Sequence, residues 1–120
     1  MANPTVETVP LGVDAQIVVA RGELDFYSSP ALRSDLLAAI ETVEAVVVDL
    51  TEVTFLDSTA LGTLVGAARA LPPGGWIAAA CRDPHLVRTL ELTGIDRLVP
   101  VFPTVGAAFA ARDGDAGAAG

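Results

Sequence analysis

The feature that most constrains this chain is a repeated switch from extended to helical patterning. Ala45-Val46-Val47-Val48-Asp49-Leu50 and Trp76-Ile77-Ala78-Ala79-Ala80-Cys81 are short apolar runs, and each leads towards an aspartate and then a segment with apolar residues three and four apart. β-Branching and length make the first run a strand covered on both faces. Strands that alternate with helices are joined by right-handed crossovers, so a mostly parallel sheet is implied.

The remaining elements fall around this frame. Thr5 to Val9 alternates, Pro10 marks an edge, and Gly12 to Asp14 can turn into a second strand over Gln16 to Arg21, which predicts a hairpin. Ser29 is the predicted N-cap of the first helix, with Pro30 at its first position and Leu32, Leu36, Ala39, Ile40 and Val43 on its inner face. Residues 51–56 read as a connection anchored by Val53, Phe55 and Leu56. The second helix starts at Asp57-Ser58, with Ser58 as a predicted N-cap and an inner stripe of Leu61, Leu64, Val65, Ala68 and Leu71. Pro72-Pro73-Gly74-Gly75 stops it. Asp83-Pro84 opens a third helix that Gly94 closes. Leu98 to Phe102 is a last strand, placed at an edge by Pro100. Thr104 caps a final helix through Ala111. One domain over residues 5–111 is predicted, followed by a disordered tail over residues 112–120.

Composition narrows the partners. Of 120 residues 52% are hydrophobic and only 5% aromatic, so the core must be built from Ala, Val and Leu. The net charge is −8, every one of the seven bases is Arg, and a polyanionic partner such as nucleic acid or anionic lipid is disfavoured. One cysteine cannot form an internal disulfide, which fits a reducing cytoplasm. Met1-Ala2-Asn3-Pro4 has neither the basic nor the apolar region of a signal peptide. No apolar run nears the roughly 18 residues of a membrane span.

Catalytic constellations are scarce. With one His and no Lys there is no phosphate-cradling loop with a lysine, and neither His85 nor Cys81 has a partner at metal-ligand spacing. His85 reads as a surface side chain and Cys81 as a small buried hydrophobe. No catalytic residue, metal or cofactor is expected. The segment Asp49 to Gly62 is different. It joins a buried strand to a helix N-terminus, where open α/β sheets place functional groups, and it sets Asp57, Ser58 and Thr59 together. Helix capping alone accounts for Asp and Ser there. The second helix also carries Thr59, Gly62, Thr63, Gly66 and Ala70 on a small, uncharged face, and each interior glycine costs roughly 1 kcal/mol against alanine. Either a neighbouring element of the domain or a docked partner accounts for such a face.

Two stretches give the chain a family resemblance. They are Gly22-Glu23-Leu24-Asp25 with Pro30-Ala31-Leu32-Arg33, and Asp49-Leu50, Val53, Phe55 with Asp57-Ser58-Thr59-Ala60-Leu61-Gly62. With these the chain resembles a STAS domain, specifically a bacterial anti-sigma factor antagonist. The resemblance spans residues 5–111. It implies an α/β domain with a four- to five-stranded mostly parallel sheet packed with about four helices. It also implies an acceptor serine directly after the aspartate of the second motif, here Ser58 after Asp57. The partner surface implied is Glu23, Asp25, Asp57, Ser58, Thr59, Gly62, Thr63 and Gly66. The implied partners are an anti-sigma factor with serine kinase activity, which supplies its own ATP, and a serine phosphatase. A cytoplasmic monomer without direct nucleic-acid contact is expected. Ala60 stands where the family more often has glycine, which stiffens the first turn and leaves the acceptor in place. Some relatives are instead non-switching accessory subunits of lipid-transport ATPases or of stress-sensing scaffolds, and in that reading Ser58 is only a cap.

Overall fold

The computed structural model describes residues 4–119, with side-chain surroundings through residue 114. Strands β1 (Thr5–Leu11) and β2 (Ala15–Leu24) form the hairpin that the sequence predicts, with Val6 opposite Ala20 and Thr8 opposite Val18. Helix α1 (Ser29–Thr42), strand β3 (Ala45–Leu56), helix α2 (Ser58–Arg69), strand β4 (Trp76–Ala80), helix α3 (Pro84–Leu92), a 3-10 turn (Ile95–Arg97), strand β5 (Val101–Phe102) and helix α4 (Val105–Ala119) follow. The five strands lie in chain order, antiparallel between β1 and β2 and parallel thereafter.

Alternation across β3 and β4 divides the interior. Val46, Val48, Ile77 and Ala79 face the larger core with Leu32, Leu36, Leu64, Leu86 and Leu90, which come from α1, α2 and α3. Val47, Ala78 and Ala80 face the other way, against Ala108 of α4, with Trp76, Phe102 and Phe109 packed around them. β3 is thus covered on both faces, as its continuous apolar run requires. Fully burying each Leu or Val contributes about 1.5–3 kcal/mol relative to leaving it exposed. The sheet is sandwiched with small residues in the middle, so few aromatics are needed.

Four local expectations are corrected. β3 does not end at Leu50; residues 51–56 continue it as strand. The register shows why. Val19 pairs with Asp49 but Arg21 with Glu52, and Gly22 pairs with Val53 but Glu23 with Phe55, so β3 carries an extra residue twice. Those bulges absorb the polar residues that look like a strand end. At the first, Asp49 Oδ1 accepts from Thr51 N at 3.0 Å and from Thr51 Oγ1 at 2.7 Å. The N-cap of α1 is Ser28 and not Ser29, which is buried at 2% exposure and whose Oγ has no hydrogen-bond partner. β5 is reduced to two residues because the segment before it forms the 3-10 turn. Helix α4 does not stop at Ala111 but continues through residues 112–119; Gly120 lies outside the described residues. Arg112 helps to hold the extension, with its guanidinium 5.9 Å over the Trp76 ring and 3.5 Å from Glu44. Thr104 caps α4 as expected, accepting from Ala107 N at 2.9 Å. Gly94 closes α3 in the left-handed conformation, φ 76°.

Candidate functional site at the carboxyl ends of β2 and β3

The apolar anchors Leu24 and Leu56 end the two central strands side by side, both buried. Beyond them Asp57 N donates to Leu24 O at 3.1 Å, which fastens the exit of β3 to that of β2. Asp57 is the N-cap of α2: its backbone is extended, and its Oδ1 accepts from Ala60 N at 3.0 Å. Ser58 is therefore not the cap. It is the first helical residue, and it is exposed. The capping task falls to the carboxylate, which leaves the Ser58 hydroxyl to point at solvent beside the free N–H groups of the first turn.

The face that follows is open. Thr59, Gly62 and Gly66 are exposed and Thr63 is half-buried, its Oγ1 donating to Thr59 O at 3.0 Å. A Cβ at either glycine would meet nothing within 4 Å. Packing inside the domain therefore does not account for these glycines. The buried line of α2 is Ala60, Leu64 and Ala67, with Leu61, Val65, Ala68 and Leu71 packed around it, so the exposed face sits opposite. Between α1 and α2 runs a groove of about 580 Å³ that Phe26, Arg33, Leu37, Thr59 and Thr63 help to line.

The loop after β2 forms the second wall. Asp25 Oδ1 accepts from Tyr27 N at 2.9 Å and Ser28 N at 3.1 Å. The Ser28 hydroxyl accepts from Asp25 N at 2.9 Å and lies 3.1 Å from Glu23 O. The Ser28 N–H above all holds the Asp25 carboxyl below its ordinary range; desolvation opposes it, and the Tyr27 N–H and the Ser28 hydroxyl add to the lowering. The turn is thus built around the ionised form. It contributes stability above the ordinary aspartate range, and that contribution is lost as pH falls through the lowered value. Glu23 is exposed and pairs in register with Phe55. Further out, Arg21 bridges Glu7 at 2.7 Å and Glu52 at 2.8 Å, and these two carboxylates raise its already high pKa. Gly22 is needed beside them: its φ is +84°, and a Cβ would lie 3.2 Å from Pro4 Cα.

Two features escape sequence reasoning. One is the exposure of Phe26 and Tyr27, which stand in edge-to-face contact at 5.6 Å on the loop, and of Phe55 on β3, which is not the apolar anchor expected beside the buried Val53 and Leu56. The signal lay in a pair of aromatics inside a turn between Asp25 and Ser28, where neither can reach the core. The other is Arg33, a cation lining the groove. Cys81 is buried, and burial pushes its thiol up. His85 is exposed on α3, away from these residues in the chain.

Replacing Asp57 by Ala removes the Ala60 N–H acceptor and is expected to cost about 1 kcal/mol. At this chain length that lowers Tm by about 4 °C, which calorimetry reads directly. An unchanged melt would show that the cap contributes nothing.

Known proteins resemble this chain in sequence and in fold. The STAS domain profile matches residues 6–108. The anti-sigma-B factor antagonist of Bacillus subtilis is 32% identical over 89 residues, covering 73% of this chain and 81% of that protein. The anti-sigma F factor antagonist of Paenibacillus polymyxa is 30% identical over 89 residues, covering 72% and 76%. The crystal structure of an anti-sigma factor antagonist from Mycobacterium paratuberculosis superposes with a TM-score of 0.82 at 30% identity, covering 91% of this chain and 93% of that one. By its profile match, its sequence identity to named antagonists and its superposition on one of them, the chain belongs to the STAS domain family, among its anti-sigma factor antagonists.

Proposed function

We propose that this chain frees a sigma factor by capturing its anti-sigma factor, and that a phosphate on Ser58 switches capture off. The observation that carries this reading is the exposed Ser58 hydroxyl at the first position of α2, next to a helix face that nothing in the domain covers. Relatives named as antagonists of anti-sigma factors support it.

The chemistry asks little of this chain. The partner brings serine kinase activity and ATP. The Ser58 Oγ attacks the γ-phosphorus, the bond to ADP breaks, and the hydroxyl proton passes to a base on the kinase. This chain contributes an exposed nucleophile at a fixed position. On this reading it needs no cofactor and no catalytic residue of its own. A helix N-terminus accepts the resulting anion, because unused N–H groups and the macrodipole favour negative charge there. A serine phosphatase returns the hydroxyl by hydrolysis. Thr59 is exposed one residue on and ranks below Ser58, since it lies further round the first turn. The antagonist reading sets the chain in the cytoplasm, where its proposed partners would act. No helix among the described residues is long and apolar enough to cross a membrane.

Incubation with the cognate kinase and ATP, followed by mass spectrometry, tests the site. One added phosphate on Ser58 is expected, absent from Ser58→Ala. Phosphate elsewhere, or none, counts against the assignment.

A further inference from the structure

The six aromatic residues of this chain divide into two groups. Trp76, Phe102 and Phe109 are partly buried against α4. Phe26, Tyr27 and Phe55 are exposed at 68%, 88% and 48%. All three flank one place. Phe26 and Tyr27 lie two and three residues past Leu24, whose carbonyl holds Asp57, and Phe55 lies three residues before Ser58. A chain with so little aromatic area leaves half of these residues in water around a single helix N-terminus.

We infer that Phe26, Tyr27 and Phe55 are the apolar anchors of the partner interface, and that the partner meets them with apolar pockets rimmed by Arg or Lys. This rests on the antagonist reading and specifies its contact chemistry. Two independent observations carry it. First, the aromatic pair is held before binding. Asp25 Oδ1 takes the N–H groups of Tyr27 and Ser28, and the Phe26 and Tyr27 rings stand at 88° to each other. Ordering the loop therefore costs little on association, and rigid exposed aromatics are the side chains that dominate binding energy. Second, the rim has a sign. Glu23, Asp25 and Asp57 lie on the same two chain segments as the three rings, Glu23 in register with Phe55, while Arg21 is already engaged by Glu7 and Glu52. Arg33 in the groove is the neighbouring cation. Carboxylates in excess around an apolar centre fit a basic-rimmed partner and disfavour an acidic one. Phosphate on Ser58 falls inside that rim, against the apolar centre, where the pockets offer no cation to match it.

The test is titration calorimetry of the full chain against each purified anti-sigma factor kinase of the source organism, with ADP present. Wild type is expected to bind one of them, more weakly as salt rises. Phe26→Ala and Tyr27→Ala are each expected to weaken that binding about tenfold or more. Glu23→Lys is expected to weaken it and flatten its salt dependence. Melting temperatures check that all variants stay folded, which the exposure of these side chains favours. Wild-type affinity in both alanine variants overturns the anchors, and an unchanged salt dependence in Glu23→Lys overturns the basic rim, while leaving the antagonist reading intact. A wild-type chain that binds none of the kinases overturns that reading and the anchors with it.

Discussion

Ser58→Asp is expected to cut affinity for the anti-sigma factor by about thirtyfold or more without lowering Tm by more than about 2 °C. The two effects separate because the residue stands at the first position of α2, outside the core. For the free domain, an exposed substitution usually shifts stability within about 0.5 kcal/mol. An anion in the first turn is favoured by a further 0.3–1 kcal/mol or so through the helix dipole. The folded state therefore loses nothing. Binding is different. The partner must cover the helix N-terminus, and a charge buried there without a matched partner costs on the order of 2–5 kcal/mol. At 1.4 kcal/mol per decade, even the low end gives about thirtyfold. The phosphate carries about −1.5 to −2 charges, so the natural modification acts more strongly than aspartate. Ser58→Ala is the control: it should bind like wild type and stay bound when ATP is added. Calorimetric affinity beside a thermal melt reads both quantities. Equal affinity for Ser58→Asp and wild type would remove Ser58 from the interface.

What the sequence revealed, and what it hid, follows from how far each signal acts. Strand and helix order was legible because apolar periodicity is a local property: β3 and β4 read as continuous runs, α1 and α3 as stripes. Ser58 was legible because a hydroxyl follows an aspartate at a strand-to-helix turn. Its role was assigned one residue too far along, since Asp and Ser both cap helices and only the extended backbone at Asp57 decides between them. The same ambiguity moved the cap of α1 from Ser28 to Ser29. The continuation of β3 past Leu50 was hidden because bulges depend on the partner strand, and no window of β3 alone contains β2. The extension of α4 was hidden likewise. Arg112 meets Trp76 and Glu44 across the fold, and a stretch rich in Gly and Asp gives no hint of that. Exposed aromatics were missed for a different reason. Composition counts Phe and Tyr as core, and only the Asp25 turn turns them outwards.

Gly66→Arg is expected to raise thermal stability and to weaken docking about thirtyfold or more, two effects of opposite sign from one substitution. Gly66 lies in the interior of α2, where glycine costs about 1 kcal/mol against alanine and arginine is nearly as good a helix former as alanine. A Cβ there meets nothing within 4 Å, so the substitution starts without a clash, on the open groove that Gly66 lines with Arg33 and Leu37. The free domain should therefore gain most of that difference, a rise of about 3–4 °C in Tm. Gly66→Ala should gain as much. If the bare face of α2 is where the partner lies, close approach is what the glycine is for, and the two variants part company. The added methyl of alanine weakens binding modestly, by an amount set by how near the partner backbone comes. The guanidinium of arginine has to be either buried or pushed aside, and the same 2–5 kcal/mol or so applies as for a misplaced charge, again about thirtyfold or more. With the basic partner rim inferred from Glu23, Asp25 and Asp57, a new cation is expected to add like-charge repulsion to the steric block. Salt should relieve that part and not the steric part. A stabilised Gly66→Arg domain that still binds with wild-type affinity would show that this face is bare for no reason of partner docking, and would confine the interface to the Ser58 end of the helix and the loop of Phe26 and Tyr27.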